Sequence, residues 1–459
     1  MNEFLAVPDF SNPLASMWWL FSHGGFVILL GALAYGIWWI YLDYIQTEYL
    51  KKVQYVLLAV DVPKENEQTP KAVEHIFSHF HGIQKSGNWK EKYIDGYLQA
   101  TITLELISIG GYIQYLIRCP INARDLVEAA IYAQYPNAEI TEVEDYTEEL
   151  GTTFPNPDFN VWAAEIVFTN EDPYPIRTYP LWEHSLTQTF LDPMASLLEI
   201  MNRLQDGEQI WFQWVLAPVP GQDFRKRGLD LINKLIGQKS KKKVSTLDEL
   251  IQAPGNLAVG TWVTLTRTLF EPGEAVKSKK DDNGPPNILQ YLPPNVRAVV
   301  EAIGIKISKL AFATKFRVAY IGKHEVFNRA RVAGLMGALK QFNTMDMNGF
   351  KPSKKMKTAA EYYFVEQRVN ALRRKIFRQF KQRSMSGGTP IVMNIEELAS
   401  VWHFPVITVK APSVQKMDAK RGEPPVSLPV SDFDPTPISG GPSSTNVVAG
   451  NPPANLPTS

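Results

Sequence analysis

Three histidines close together in the chain are the first candidates for chemistry. His75 and His79 are four residues apart, so a helix would place them on one face, and His81 follows two residues later. Two imidazoles at this spacing can share a metal ion, but a zinc site needs three or four ligands, and nothing obliges a carboxylate to join them. The spacing leaves two interpretations: a metal site in a metal-dependent enzyme, or histidines on a solvated helix face, which is the commoner case.

A single thiol and a few paired carboxylates are the other reactive groups. Cys119 is the only cysteine, which excludes an intrachain disulfide and a cysteine-based zinc site. Its position between Arg118 and Pro120 fits an activated thiol or a small core residue at the end of a strand. The carboxylates at 144–145 and 148–149 lie in an acidic connector, where solvated charge explains them.

Sequence signatures of the common catalytic sites are absent. The chain has no G-x-x-x-x-G-K-[ST] phosphate loop, no G-x-G-x-x-G that opens a helix after a strand, no G-x-S-x-G and no H-E-x-x-H. We therefore predict no catalytic residue, no cofactor and no bound metal, and we expect that the protein is not an enzyme.

A long basic helix is the strongest candidate for a binding surface. Residues 358–383 carry apolar side chains at three- and four-residue steps, which predicts that one face packs on the rest of the protein. Arg373, Arg374 and Arg378 fall within about a turn and a half, so we predict that they form the main partner surface. An acidic protein, anionic lipid or DNA would suit this charge, although the aromatic residues that single-strand binders expose lie only at the start of the helix.

A charge-free stretch near the N-terminus predicts a membrane anchor. Residues 17–42 contain no Asp, Glu, Lys or Arg, and they exceed the roughly 20 apolar residues that a bilayer-spanning helix needs. Tryptophan pairs near its two ends would lie roughly 30 Å apart in a helix, close to the thickness of the hydrocarbon layer. The predicted membrane-interface anchors are Trp18, Trp19, Trp38 and Trp39.

Basic residues set the predicted topology. Lys51 and Lys52 follow the apolar stretch, and no Lys or Arg precedes it. The positive-inside rule then places the C-terminal part of the chain in the cytoplasm. We therefore predict a single-pass protein of the bacterial inner (plasma) membrane, with a short extracytoplasmic N-terminus, residues 1–16.

Hydrophobic patterns predict an α+β fold for the rest of the chain. Residues 53–150 follow the order β-α-β-β-α-β, which is the ferredoxin-like or split βαβ pattern. Thr69 is the predicted N-cap of the first helix, with Pro70 at its first position, and Gly110-Gly111 is the predicted turn of the hairpin formed by the two middle strands. Residues 157–345 are expected to form a second such unit, interrupted by a basic insertion at about 220–310. The basic amphipathic helix and a linker motif occupy 358–410. Residues 411–459 are rich in Pro, Ser and Gly, which predicts a disordered tail.

Several segments resemble a known family. LELISIGGYIQYLIRCP and LVEAAIYAQYPNAEITEV resemble the N-terminal, non-motor domain of the conjugation and type IV secretion ATPases of the HerA/FtsK superfamily, and FRVAYIGKHEVFNRARVAGLMGALKQFN resembles the segment that follows it. IEELASVWHFP and VKAPSVQKMDAKRGEPPVSLP look like the linker into the motor domain. The similarity runs from Val53 to Pro429, and the whole chain is also similar to a family of bacterial membrane-anchored proteins that have this domain and no motor.

The resemblance implies a platform of secretion- or conjugation-machine type, to which no ATP-binding residue carries over. We expect a membrane-anchored cytoplasmic scaffold or adaptor without its own ATPase, whose partners are the membrane and a separate motor ATPase or other machine subunit; homo-oligomerisation is open. A membrane-tethered nucleic-acid-binding protein is the first alternative. The balance of 47 Lys+Arg against 47 Asp+Glu argues against wholesale nucleic-acid coating but leaves room for a local patch. A metal-dependent enzyme is the second alternative.

Overall fold

The structure is a computed structural model that describes residues 17–19, 21, 26–63, 66–148, 150–151, 153–182, 191–236 and 292–406. All of them fall within the unit Met1–Asp418. The predicted N-terminal segment 1–16, the predicted tail 411–459 and much of the predicted insertion lie outside the described residues.

In the described part of the chain, nine strands form one antiparallel sheet. The strands are β1 (Tyr55–Asp61), β2 (Ile102–Ile109), β3 (Tyr112–Pro120), β4 (Glu139–Glu142), β5 (Phe159–Phe168), β6 (Glu208–Pro218), β7 (Ala311–Lys323), β8 (Phe350–Lys357) and β9 (Ile391–Asn394). Their order across the sheet is β4-β1-β3-β2-β6-β7-β5-β8, and β9 pairs with the first residues of β7. Most are rich in β-branched and aromatic residues, which fit a pleated and buried surface.

Helices of very different length connect these strands. The α-helices are α1 (Phe26–Lys52), α2 (Pro70–Phe80), α3 (Trp89–Tyr93), α4 (Arg124–Gln134), α5 (Ala195–Asn202), α6 (Gly221–Leu235), α7 (Pro294–Ser308), α8 (Ala330–Lys340), α9 (Val365–Gln382) and α10 (Ile395–Val401). The predicted start of α2 is confirmed, because Thr69 is its N-cap and Pro70 is its first residue, where the missing N–H costs no hydrogen bond.

Helices cover both faces of the sheet. One face packs against α2, α4, α5, α8 and α10 through the larger core, in which Phe77, Ile131 and Leu335 are fully buried. The other face packs against α9, where Phe380 and Trp211 meet. Burying a side chain of this size contributes about 1.5–3 kcal/mol, so both layers hold the sheet rigidly. A third cluster joins α6 to α7 beside β9.

The predicted pair of ferredoxin-like units is wrong, because one sheet runs through both of the predicted units. β2 pairs with β6 over eight residue pairs, from Ile102↔Leu216 to Ile109↔Gln209. β9, which lies in the stretch predicted as helix and linker, adds a further strand beside β7. Local patterns identify strands, but they carry no information about which strands pair across more than 100 residues of chain.

The predicted transmembrane helix at 17–42 is also wrong. None of the helices in the described ranges is both long and apolar enough to cross a membrane. The helix α1, as described from Phe26 to Lys52, has charged residues in its last turns.

The stretch predicted as a basic helix and linker differs in its helix bounds and in the burial of its last part. The helix begins at Val365 and not at 358, because Tyr362 and Phe364 have φ values of 71° and 51°, outside the helical region. The predicted linker motif forms α10, which Asn394 and Glu397 start with a reciprocal capping box. Trp402, just after α10, is fully buried, so this segment belongs to the core.

Candidate functional site

Five charged side chains are buried together between the sheet and α9. This buried charge cluster consists of Glu105 on β2, Glu165 on β5, Lys315 and Arg317 on β7, and Arg383 at the end of α9. Each is at most 3 % exposed. Alternate residues of a strand point to the same face, so Lys315 and Arg317 both reach the α9 side of the sheet.

The members of the buried charge cluster are paired with one another. Arg383 Nε and Nη2 donate to the two carboxylate oxygens of Glu105 at 2.9 and 3.2 Å, and Arg383 also binds Asp145. Lys315 Nζ lies 2.8 Å from Glu165 Oε1. Gln213 joins the pairs, because it donates to Glu105 at 2.9 Å and accepts from Arg317 at 3.0 Å. A planar guanidinium that meets a carboxylate at two points fixes orientation as well as charge.

A short covering segment, Ser384–Gly388, closes the buried charge cluster. Lys315 donates to the carbonyl of Gly387, and Arg317 donates to the carbonyl of Ser384. Gly388 has a φ of +58°, and a Cβ at this position would lie 2.6 Å from Glu165 Oε1. Only glycine fits here, because any side chain would displace a buried carboxylate.

Electrostatics show what the buried charge cluster does. Burial alone would lower the pKa of Arg383, but the charges of Glu105 and Asp145 hold the pKa above its usual value. Burial lowers the pKa of Arg317 to about 10 and also lowers the pKa of Lys315, although Glu165 opposes the latter shift. A buried site whose two arginines remain charged at neutral pH suits a structural lock better than proton transfer. The sequence contains a signal for the buried charge cluster, because Lys315 and Arg317 are two residues apart within the apolar strand β7.

The predicted metal and thiol alternatives find no support in the geometry. His75 and His79 are exposed on α2, whereas the His81 ring packs edge-on against Phe312 at 5.4 Å. Among the residues with described positions, no group of three or more His, Cys, Asp and Glu side chains could hold a metal ion. Burial raises the pKa of Cys119 to about 11, so this thiol is protonated at neutral pH and is a poor nucleophile.

The predicted arginine surface is partly engaged with the protein itself. Arg373 Nε donates to the carbonyl of Val161 at 3.1 Å, and Arg374 Nη1 donates to the carbonyl of Phe154 at 2.7 Å. These bonds tie α9 to the chain segments beneath it, and burial lowers the pKa of Arg373. Arg378 is exposed, so the structure brings the three arginines onto one helix but gives them different environments.

An exposed run of aromatic residues precedes α9. This aromatic ridge consists of Tyr362, Tyr363 and Phe364, which are 85 %, 82 % and 74 % exposed. The left-handed backbone at the first and third positions is unusual for aromatic residues and is commonest at functional sites. Arg368 Nη1 donates to the carbonyl of Glu361 at 2.9 Å, which fixes the base of the ridge. The signal in the sequence is three successive aromatics ahead of a basic helix.

A second exposed aromatic surface lies where α1 meets α3. The aromatic collar consists of Trp38 on α1 and of Trp89 and Tyr93 on α3. Tyr93 lies between Trp38, at 6.0 Å between ring centroids, and Trp89, at 5.9 Å, and both ring pairs are tilted. Trp89 is 69 % exposed and Trp38 is 45 % exposed. The three rings are thus neighbours on the surface, although about 50 residues separate Trp38 from Trp89 in the chain.

The other predicted membrane residues have separate environments. Trp18 is exposed and stacks on Phe21 at 6.0 Å between ring centroids, and Trp19 is half-buried. Lys51 and Lys52 are exposed at the end of α1, where Lys51 pairs with Glu48 at 2.6 Å. The structure therefore brings Trp38 into the collar, whereas Trp39 packs edge-on against Tyr35 on the same helix. No local pattern in the chain indicates the contact between Trp38 and Tyr93.

Backbone contacts fix the position of α1 against α3. Gly96 has a φ of +72°, and a Cβ there would lie 2.3 Å from the carbonyl oxygen of Ile45. Only glycine permits this close approach of two backbones. Farther along the same interface, the rings of Tyr49 and Tyr97 meet edge-on at 5.6 Å.

Comparison with known proteins identifies a family for most of this chain. A profile described as a domain of unknown function, DUF8128, matches residues 43–417. This range includes every strand of the sheet and excludes most of the exposed apolar part of α1. None of the curated proteins that were compared matches the chain. Because the profile covers well over half of the sequence, the chain belongs to the DUF8128 family.

Proposed function

We propose that this protein is a scaffold that attaches to a lipid bilayer and docks partner proteins, without catalytic activity of its own. The observation that carries the proposal is the surface of α1. The described side chains of its apolar part are exposed around the whole helix, including Val27, Leu29, Leu30 and Tyr35, which lie on different faces and are 57–64 % exposed. A helix that is apolar on all sides needs an apolar environment, which water does not provide.

The aromatic collar favours lipid as that environment. Trp and Tyr rings prefer the boundary between acyl chains and headgroups, because they combine an apolar body with a polar tip. Lys90 and Lys92 on α3 are exposed beside Trp89, where their ammonium groups can meet lipid phosphates. We therefore place the collar at the headgroup level and the exposed part of α1 in the acyl region of the same leaflet.

Docking of partner proteins is the second part of the proposal. The resemblance to the leading domain of secretion and conjugation ATPases supports a partner of that type: a motor ATPase on a separate chain at the inner membrane of a bacterium. The rigid sheet, locked by the buried charge cluster, supports a role as a platform. The exposed side chains of α9, among them Arg378, supply a cationic surface for this partner.

A fluorescent label at the collar tests attachment to lipid. Trp89→Cys in the full-length protein, labelled with an environment-sensitive dye, reports whether the collar enters the headgroup region. Cys119 is buried, and its pKa of about 11 keeps it unreactive at neutral pH, so labelling is selective. Vesicles of mixed zwitterionic and anionic lipid should raise the emission and shift it to the blue.

The matched control for this label is Glu325→Cys. Glu325 is exposed just after β7, at the opposite end of the sheet, roughly 30 Å from the collar. Its emission should stay constant when vesicles are added. A constant signal at position 89 would overturn lipid attachment, and a blue shift that depends on protein concentration alone would assign the collar to contact between two copies of the chain.

Co-purification tests the docking of a partner. The protein is cross-linked in native membranes and purified, and its bound proteins are identified by mass spectrometry. We expect to recover a P-loop ATPase, and its recovery should depend on the basic face of α9. The double variant Arg378→Glu, Lys375→Glu should therefore reduce the amount of ATPase that co-purifies. Both side chains are exposed, so the fold should survive these changes. Unchanged recovery of the ATPase would place the docking surface elsewhere, and recovery of none would contradict this part of the proposal.

A further inference from the structure

The aromatic ridge has a chemistry that attachment to lipid and docking of a motor do not use. Its three rings are consecutive in the chain and at least 74 % exposed. Isolated exposed apolar residues are ordinary, but three adjacent aromatic rings on one protruding segment are not. The aromatic ridge and the aromatic collar lie on different elements, so the inference below is independent of the proposed function.

Cations dominate the chain on both sides of the ridge. Between residues 351 and 378 there are nine Lys and Arg residues against two Glu residues. The cations are Lys351, Lys354, Lys355, Lys357, Arg368, Arg373, Arg374, Lys375 and Arg378. β8 forms one edge of the sheet, and Lys354 and Lys355 on this strand are exposed. The local potential is therefore positive, and it attracts a polyanion.

The ridge is held in place rather than left to move freely. Thr358 is tied to β5 by two hydrogen bonds with the backbone of Ala163, each 2.9 Å long. Arg368 holds the carbonyl of Glu361 from the other side. A segment fixed at both ends loses little conformational entropy when it binds, so the left-handed strain at Tyr362 and Phe364 is compatible with a preorganised surface.

We propose that the aromatic ridge binds single-stranded nucleic acid. Bases stack on the rings of Tyr362, Tyr363 and Phe364, and the lysines of β8 contact the phosphates that join those bases. Stacking platforms flanked by cations are the general means of binding single strands without sequence preference, because every base has a π face. A lipid surface or an acidic protein would use the cations equally well, but neither has a series of flat rings that matches three adjacent aromatic side chains.

Fluorescence anisotropy with a labelled 12-nucleotide oligothymidylate tests the proposal on the full-length protein in mild detergent. The triple variant Tyr362→Ala, Tyr363→Ala, Phe364→Ala should bind at least 30-fold more weakly, since loss of one stacked base weakens binding roughly 5- to 150-fold. Lys354→Gln with Lys355→Gln should also weaken binding, and it should reduce the slope of log K against log salt by about 1.4, which is 0.7 for each lost phosphate contact.

The aromatic collar supplies the matched controls. Trp89→Ala removes an exposed aromatic ring, and Lys90→Gln with Lys92→Gln removes two exposed cations, at a site assigned to lipid. Neither variant should change the affinity for the oligonucleotide more than twofold. If the collar variants weaken binding as much as the ridge variants do, binding is unspecific and the proposal fails.

A second ligand separates stacking from charge. Polyglutamate has a similar charge density and no bases, so loss of the ridge rings should leave its affinity unchanged while the affinity for oligothymidylate falls. An equal loss for both ligands would assign the ridge to acidic proteins and overturn the inference. Failure of the wild-type protein to bind the oligonucleotide at low salt would also overturn it, whether or not the protein binds vesicles.

Discussion

The two ends of α9 carry the same types of residue in opposite environments. At its C-terminal end, Arg383 is 3 % exposed and pairs with Glu105, and Trp211 packs against Phe380. At its N-terminal end, the aromatic ridge and the cations around it face solvent. One helix thus joins a buried, fully enclosed polar region to an open aromatic and cationic one.

This difference separates stability from recognition along a single element. Charges that are buried and paired cost stability heavily when one partner is removed, because the remaining charge has no water to solvate it. Exposed cations and rings can change with little effect on folding, because solvent replaces whatever they lose. Substitutions of the buried side chains at the C-terminal end of α9 should therefore act on unfolding, and those of the exposed side chains on binding.

The largest effect is expected for Arg383→Met. The substitution leaves Glu105 buried without its cation, which should lower the free energy of unfolding by about 3–5 kcal/mol. Chemical denaturation followed by circular dichroism measures the change. Because this variant could fail to fold, the double variant Arg383→Met with Glu105→Gln is measured beside it.

The double variant should recover part of the loss, since both charges are removed together. Arg378→Met, on the exposed surface of the same helix, should change stability by less than about 0.5 kcal/mol. A double variant that is no more stable than Arg383→Met would mean that the pairing with Glu105 is not the reason for the loss. Equal losses for Arg378→Met and Arg383→Met would remove the contrast between the two environments.

A smaller effect is expected where the covering segment touches the buried charge cluster. Gly388→Ala should cost about 1–3 kcal/mol, because the residue has a positive φ and the new Cβ would collide with the carboxylate of Glu165. Gly337→Ala on α8 is the control, since no atom lies within 4 Å of its new Cβ. In a helix this change should stabilise the fold by about 0.5–1 kcal/mol. Thermal unfolding should show a lower melting temperature for Gly388→Ala and a higher one for Gly337→Ala. A melting temperature of Gly388→Ala equal to that of the wild type would contradict close packing of the covering segment on the cluster.

Asp61 is a buried carboxylate outside the cluster, and it allows a comparison with Glu105 and Glu165, which are paired with cations. Burial, with a contribution from Glu139, raises the pKa of Asp61 to about 6. The folded state then binds a proton more tightly than the unfolded state, so Asp61 lowers stability as the pH rises from about 4 to 6, and the loss persists at higher pH. Asp61→Asn should raise stability by about 1 kcal/mol at pH 8, less than the full linkage value because water reaches part of the carboxyl.

The pH profile provides the check on Asp61. At pH 4 the Asn variant and the wild type should have similar melting temperatures, and the difference should grow up to pH 7. A constant difference across this range would mean that the carboxyl does not titrate as described. Tyr112, whose pKa is raised by burial and by Asp61, should not contribute, because its phenol stays neutral throughout.

The smallest effect on stability is expected for the aromatic ridge. The triple alanine variant of Tyr362, Tyr363 and Phe364 removes side chains that are mostly solvated, so the midpoint of denaturation should change by less than the equivalent of about 1 kcal/mol. A cooperative loss of several kcal/mol would show that the rings hold α9 on the sheet. In that case the ridge would belong with the buried charge cluster, and the comparison between the two ends would fail.

Local sequence chemistry predicted several elements well. The start of α2 at Thr69 and Pro70 follows from capping and from the fixed φ of proline. The hairpin between β2 and β3 is confirmed, and the turn needs Gly110 and Gly111, whose φ values are +57° and +89°. These features depend on residues within a few positions of one another, which is why a pattern in the chain is sufficient to find them.

Contacts between distant parts of the chain were not accessible in the same way. The sequence of IEELASVWHFP resembles a linker, but His403 Nε2 lies 3.0 Å from Asp192, which is 211 residues away, and both side chains are 1 % exposed. Nearby, Lys306 and Glu397 form another buried pair at 3.0 Å. Nothing in the local pattern of an apolar segment tells whether it leads out of a domain or packs inside it.

The sequence by itself determined which residues are apolar, where α2 begins and where the β2–β3 hairpin turns, because these depend on side-chain chemistry over a few residues. The tertiary structure alone decided that the two predicted units share one sheet and that Tyr93 lies between Trp38 and Trp89. It also decided which charges are buried and which are exposed on α9. Burial and pairing are properties of three-dimensional neighbours, and those neighbours are set by strand pairing and helix packing across the whole chain.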